Sequence, residues 1–144
     1  MWNGSDERMR RGEGGQSLVE FALSLVFLLV LLTGVVDAAR ALYAYLSMRD
    51  AAQEGALYAS IQPADTAGIE NRVRGASDYM NGLGAAITVT STPTGAPCLG
   101  STIKVSINYP NFPLVMPLIG VFIGRQTVPI GVSVSDTILT PKCP

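Results

Sequence analysis

Leu18 to Val36 is a run of nineteen residues in which Glu20 alone carries a charge. At a rise of 1.5 Å per residue a helix of this length covers ~28 Å, close to the ~30 Å hydrocarbon thickness of a bilayer. A stretch this apolar reads as a membrane-spanning helix near the start of a 144-residue chain. The remainder is then the payload of one N-terminal anchor.

The flanks give a direction. Arg8, Arg10 and Arg11 precede the run, and basic residues beside a span stay in the cytoplasm. Asp37, Arg40, Arg49 and Asp50 follow it and nearly balance. The expected topology is a single pass of the cytoplasmic membrane, with the N-terminus cytoplasmic and residues from about Asp37 extracytoplasmic. A cleaved secretory signal is the rival reading, and small residues at Gly34, Ala38 and Ala39 offer it a cut site. Its apolar region is shorter, however, at ~7–15 residues. Here the helical pattern continues without a break to Ile61, as a retained anchor requires.

Glu20 is the residue that a plain anchor does not need, because a carboxylate in hydrocarbon is costly. Ser17-Leu18-Val19-Glu20 has the spacing of a capping box, with Ser17 as N-cap and Glu20 reaching back to the Ser17 amide. A carboxylate in the first turn also suits the positive end of the helix dipole. Capping is one explanation of Glu20; a role in assembly, with the carboxylate pairing to a neighbouring subunit, is the other.

Gly15-Gln16-Ser17-Leu18-Val19-Glu20-Phe21, followed by an apolar helix, resembles a class III prepilin leader. Val19-Glu20-Phe21-Ala22-Leu23, Gly34-Val35-Val36-Asp37-Ala38-Ala39-Arg40-Ala41-Leu42-Tyr43 and Asp50-Ala51-Ala52-Gln53-Glu54-Gly55-Ala56-Leu57-Tyr58-Ala59 narrow the resemblance to TadE-like proteins. These are minor pseudopilins of the tight-adherence (Tad/Flp) pilus system. The likeness is strong over residues 15–60 and looser over 103–139, with Val26, Asp37 and Ala39 departing from the family's usual proline, glutamate and glycine. The resemblance implies prepilin peptidase cleavage between Gly15 and Gln16, with Glu20 and Phe21 near the new terminus. Glu20 would then be the fifth residue of the processed chain, able to pair with the α-ammonium of a neighbouring subunit and fix axial register. It also implies other Tad/Flp pilins and the pilus-assembly platform as partners.

Net charge is −1, and the leader holds the sole basic cluster. Nucleic acid needs a concentrated positive face, so it is not an expected partner. There is no histidine, hence no His-based triad or imidazole metal site. Cys98 and Cys143 have no imidazole to activate them. Gly12-Glu13-Gly14-Gly15 precedes the anchor rather than following a strand, so it is no phosphate loop. Asp65, Glu70 and Asp78 read as the solvated side of a helix. The expectation is a non-enzyme with no catalytic residues, no metal, no cofactor and no small-molecule substrate. The two cysteines both fall on the exterior side, where oxidation is permitted. A Cys98–Cys143 disulfide would span 45 residues and contribute roughly 3–4 kcal/mol; two unpaired thiols are the alternative.

Beyond the anchor, Ala38, Leu42, Tyr45 and Leu46 can share one helix face. Ala52, Ala56 and Ser60, with Ala51, Gly55 and Ala59 beside them, form a small-residue stripe that lets a sheet or helix approach closely. Gln62-Pro63 ends the helix, giving about 45 residues from Ser17 to Ile61. A second helix is predicted over 67–81, with Ile69, Val73, Ala76 and Met80 apolar. Asp65 or Thr66 caps its start, and Gly82 or Gly84 ends it. Residues 91–101 read as a loop. Period-two alternation predicts strands at 86–90, 102–109 and 128–136, and one wet face suits an antiparallel sheet packed on a helix.

The fold class is therefore α+β: a long transmembrane and amphipathic N-terminal helix, a second short helix and a small antiparallel sheet of about three strands. The domain organisation is a leader over 1–15, the long helix over 16–62 and an extracytoplasmic domain over 63–144. The proline-interrupted apolar stretch 113–124 is too short to span a bilayer. It is either a contact surface or a piece of the core. Two functions follow: a pilus-assembly component acting in surface adhesion or secretion, or an unprocessed envelope protein whose outer domain binds a ligand or secreted partner.

Overall fold

The computed structural model describes residues 6–116, 120–121, 124–140 and 142, with side chains from residue 15 onward. Cys143, residues 117–119 and 122–123 of the apolar stretch, and leader residues 1–5 lie outside the described residues. The architecture is α+β, as expected. Helix α1 (Asp6–Ile61) is followed by α2 (Thr66–Gly75), α3 (Asp78–Leu83) and a 3-10 turn at Gly84–Ala86. Three strands then complete the fold: β1 (Thr88–Thr94), β2 (Thr102–Pro113) and β3 (Thr127–Thr137). The sheet is antiparallel in the order β1-β2-β3.

Helix α1 spans 56 residues and ends at Ile61, the residue before Gln62-Pro63. Its start corrects the expectation. The helix is already running at Asp6, so Ser17 lies well inside it and the Ser17–Glu20 capping box does not form. The leader is rich in good helix formers, and once a helix is nucleated each further residue adds a hydrogen bond. That gain carries it through Gly12, Gly14 and Gly15.

The outer half of α1 is the spine of the core. Met48, Ala51, Ala52, Ala56 and Ala59 are buried against Ile69, Val73, Met80, Ile87, Ile103, Val105, Ile107, Val132 and Ile138. The small-residue stripe thus does what its spacing promised. Nearer the anchor, Ala38, Leu42, Tyr45 and Leu46 do share a face, but it is the exposed one, while Asp37, Ala44 and Met48 are buried. Small side chains face the sheet, where room is short, and the bulky ones continue the outward face of the anchor.

Two local breaks differ from the pattern reading. The predicted second helix is split, since Ser77 turns extended and its hydroxyl caps α3 by accepting from Met80 N at 3.2 Å. Ala76 is consequently exposed. Asp65 caps α2 through Gly68 N at 2.9 Å, and Gly84 (φ +48) ends α3 in a conformation that favours glycine. Strand β1 starts two residues late and runs through Ser91–Thr94, which composition had given to the loop.

Strand β2 carries a bulge. Tyr109 pairs with Ile130 but Phe112 pairs with Val128, so Pro110 and Asn111 together oppose Pro129. Simple alternation would point Asn111 inward. The extra residue hands that place to Phe112, which is buried beside α1.

Candidate anchoring and assembly site

Gly15, Gln16, Val19, Glu20 and Leu23 lie along one strip of α1, and Gly15 has nothing within reach of a Cβ. Glu20 is exposed and Phe21 is 66% exposed. Gly15, Gln16 and Glu20 thus share one accessible strip, and Phe21 is exposed on the same helix outside it. Leu23, Phe27, Leu28, Leu31, Leu32 and Val35 remain uncovered as well. Ser24 and Thr33 turn their hydroxyls back onto the helix, donating to Glu20 O at 2.8 Å and Val30 O at 2.9 Å. Their polarity is thus satisfied internally, as a low-dielectric surrounding requires. This helix is long and apolar enough to cross a membrane.

Where the apolar run ends, the chain builds a clamp that sequence reasoning missed. Asp37 is buried, and its carboxylate accepts from Val115 N at 2.8 and 2.9 Å and from Met116 N at 2.6 Å. Arg40 closes an ion pair at 3.2 Å, and its guanidinium stands 5.4 Å from the Phe112 ring centre. Burial alone would raise the Asp37 pKa, but the two amides and Arg40 outweigh it and hold the carboxyl below its ordinary value. Gln126 pins the same loop, donating to Leu114 O at 3.3 Å and Met116 O at 3.0 Å and accepting from Gly120 N at 3.1 Å. The only sequence signal was a lone carboxylate at the end of a greasy run. Its partners lie 78 and 79 residues away.

The far end of α1 is locked differently. The Tyr58 hydroxyl donates to Asp65 Oδ2 at 2.8 Å and lies 2.9 Å from Gln62 Oε1. The bonds from Gly68 N and Tyr58 lower the Asp65 pKa, and the bond to Asp65 raises that of Tyr58. The terminal carbonyls of α1 are taken by the C-terminal segment, with Leu139 N on Ser60 O at 2.8 Å and Thr140 Oγ1 on Ile61 O at 2.6 Å. Cys98 is buried in the β1–β2 loop. Two residues on, Gly100 N donates to Ile138 O at 3.0 Å.

The anchor, its cleavable-looking start and the small-residue stripe thus occupy one continuous helix. Residues 15–57 match the family described as TadE-like protein. The match begins at Gly15 and takes in Glu20, Asp37 and most of the core-facing stripe, while the loosely similar 103–139 region lies beyond it. No curated protein and no solved structure matches the chain. The TadE-like match and the apolar helix together fit a membrane-anchored, pilus-associated protein.

Proposed function

We propose that this chain is a TadE-like minor pilin or pseudopilin, a pilus-assembly component acting in surface adhesion or secretion. In this reading prepilin peptidase cuts between Gly15 and Gln16, and residues 18–36 hold the product in the cytoplasmic membrane. Its N-terminus is cytoplasmic and its domain extracytoplasmic. Lateral packing of the exposed helix joins it to other Tad/Flp pilins and the assembly platform. The protein catalyses nothing and takes no cofactor.

The observation that carries the reading is the family match opening at Gly15 on an uncovered apolar helix. Glu20 supports it: its carboxyl is exposed in a greasy strip, among the described residues no side chain bonds it, and a partner outside the chain can reach it. After cleavage that partner is the α-ammonium of a neighbour. Cys98, held near the strand that leads to Cys143, is proposed to pair with it in the oxidising exterior.

Mass spectrometry of the native N-terminus tests the processing directly. A chain beginning at Gln16 is expected, and one beginning at Met1 in cells that hold the peptidase would leave only the unprocessed anchor. Glu20→Ala is expected to insert normally yet fail to join assemblies, measured by membrane fractionation and crosslinking to co-expressed pilins.

A further inference from the structure

We propose that the loop leaving β2 is a second membrane contact, with Val115 and Val121 seated in the leaflet that faces the domain. This rests on residues 18–36 being the span. Asp37 is the first residue beyond that run, and it holds the backbone amides of Val115 and Met116. Met116 reaches further back, its Sδ only 3.6 Å from where a Gly34 Cβ would stand. Gly34 is three residues before Asp37, so the Met116 tip lies ~4.5 Å below the level of Asp37. The Val115–Met116 backbone, fixed at Asp37, therefore stands at the membrane boundary if the helix spans.

The exposed side chains suit lipid. Val115 is 59% and Val121 78% exposed, and Gln126 bonds the neighbour of each, the Met116 carbonyl and the Gly120 amide. Immediately above, Val36, Ala39, Arg40, Tyr43, Tyr79 and Phe112 line a groove of about 410 Å³. The Arg40 backbone stands ~4.5 Å above Asp37 while its guanidinium returns to the Asp37 carboxylate at 3.2 Å, and Tyr43 and Tyr79 meet edge to face at 5.1 Å. A cation and tyrosines just outside a greasy run are the composition of a membrane interface. A second copy of the chain would also cover apolar side chains. It does not account for a cation and aromatic rings gathered just beyond the end of the greasy run.

The test uses the full chain with Trp2→Phe, reconstituted at high dilution in phosphatidylcholine–phosphatidylglycerol vesicles. Single tryptophans are introduced as Val115→Trp, Val121→Trp, Phe27→Trp and Leu139→Trp. Emission from the first two is expected to fall by about half with acyl chains brominated near the headgroup. Phe27→Trp should respond to bromine near the chain ends, and Leu139→Trp only to aqueous acrylamide. If Val115→Trp and Val121→Trp respond to acrylamide alone while Phe27→Trp is quenched by lipid, the proposal fails and the span stands. If Phe27→Trp is not quenched either, the span fails and takes the proposal with it. Shielding of both loop positions from lipid and acrylamide alike would assign the loop to a contact between copies, and would also overturn the proposal.

Discussion

Gly55 marks a close approach of α1 to the domain it carries. A Cβ built there would stand 2.5 Å from Val73 Cγ2 and 3.4 Å from Val105 Cγ1. Valine is stiff at χ1, so Val73 has little freedom to give way. Gly55→Val is expected to destabilise the domain by about 1–3 kcal/mol through overpacking, read from thermal unfolding of the detergent-solubilised chain. Asp37 and Asp65 make a different residue-scale prediction. Both carboxyls are held below their ordinary pKa when folded, so the folded state resists protonation more than the unfolded chain does. Their stabilisation is complete above the unfolded carboxyl value of ~3.9 and is lost as pH falls through the lower folded values. Tyr58 works at the other limb: its raised pKa favours the neutral hydroxyl, a contribution present below ~10 and lost as pH rises through the folded value. Denaturant melts across pH should show a shallower acid limb in Asp37→Asn and Asp65→Asn than in the wild type. An unchanged acid limb in both would remove the two carboxylates from the account.

Elements were legible where local pattern and tertiary demand agree. Ile103, Val105 and Ile107 alternate with polar neighbours and are buried in β2. The end of α1 followed from proline, and the cap of α2 from Asp65. What alternation cannot reveal is a change of phase, and the bulge at Pro110–Asn111 is such a change. Without it Phe112 would not face Arg40, and the loop would leave the strand on the wrong side for Asp37. The split between α2 and α3 was hidden for a similar reason, because Ile69, Val73 and Met80 stay on one apolar stripe through the break. Its signal was Ser77 followed by Asp78, an N-cap and a first-turn acid inside a presumed helix. Ser77→Ala should cost about 0.5–2 kcal/mol. Hydrogen exchange should localise the loss to the first amides of α3, and uniform loss across the sheet would contradict a capping role.

For the molecule as a whole, anchor and domain share a helix, and they also share a core. Strand β2 descends alongside the outer half of α1, from residues level with the Ile61 end to Phe112 beside Arg40. Strand β3 climbs back to deliver Ile138 and Leu139 to the helix terminus. Twelve residues of strand cover ~40 Å, and the helix from Asp37 to Ile61 covers ~36 Å, so the two lengths fit. Residues beyond Gln62 do not close the core by themselves, since one side of that core is Met48, Ala51, Ala52, Ala56 and Ala59. A fragment starting at residue 63 is therefore expected to be unfolded. A fragment starting at residue 37 keeps both the spine and the Asp37 clamp and is expected to fold cooperatively. Far-UV circular dichroism and amide exchange on the two fragments decide this. A protected sheet in the shorter one would mean that the helix only tethers the domain; its absence there, with protection in the longer one, would mean that the helix holds the domain's shape. In the second case tension or rotation applied to the apolar helix reaches the sheet without an intervening hinge.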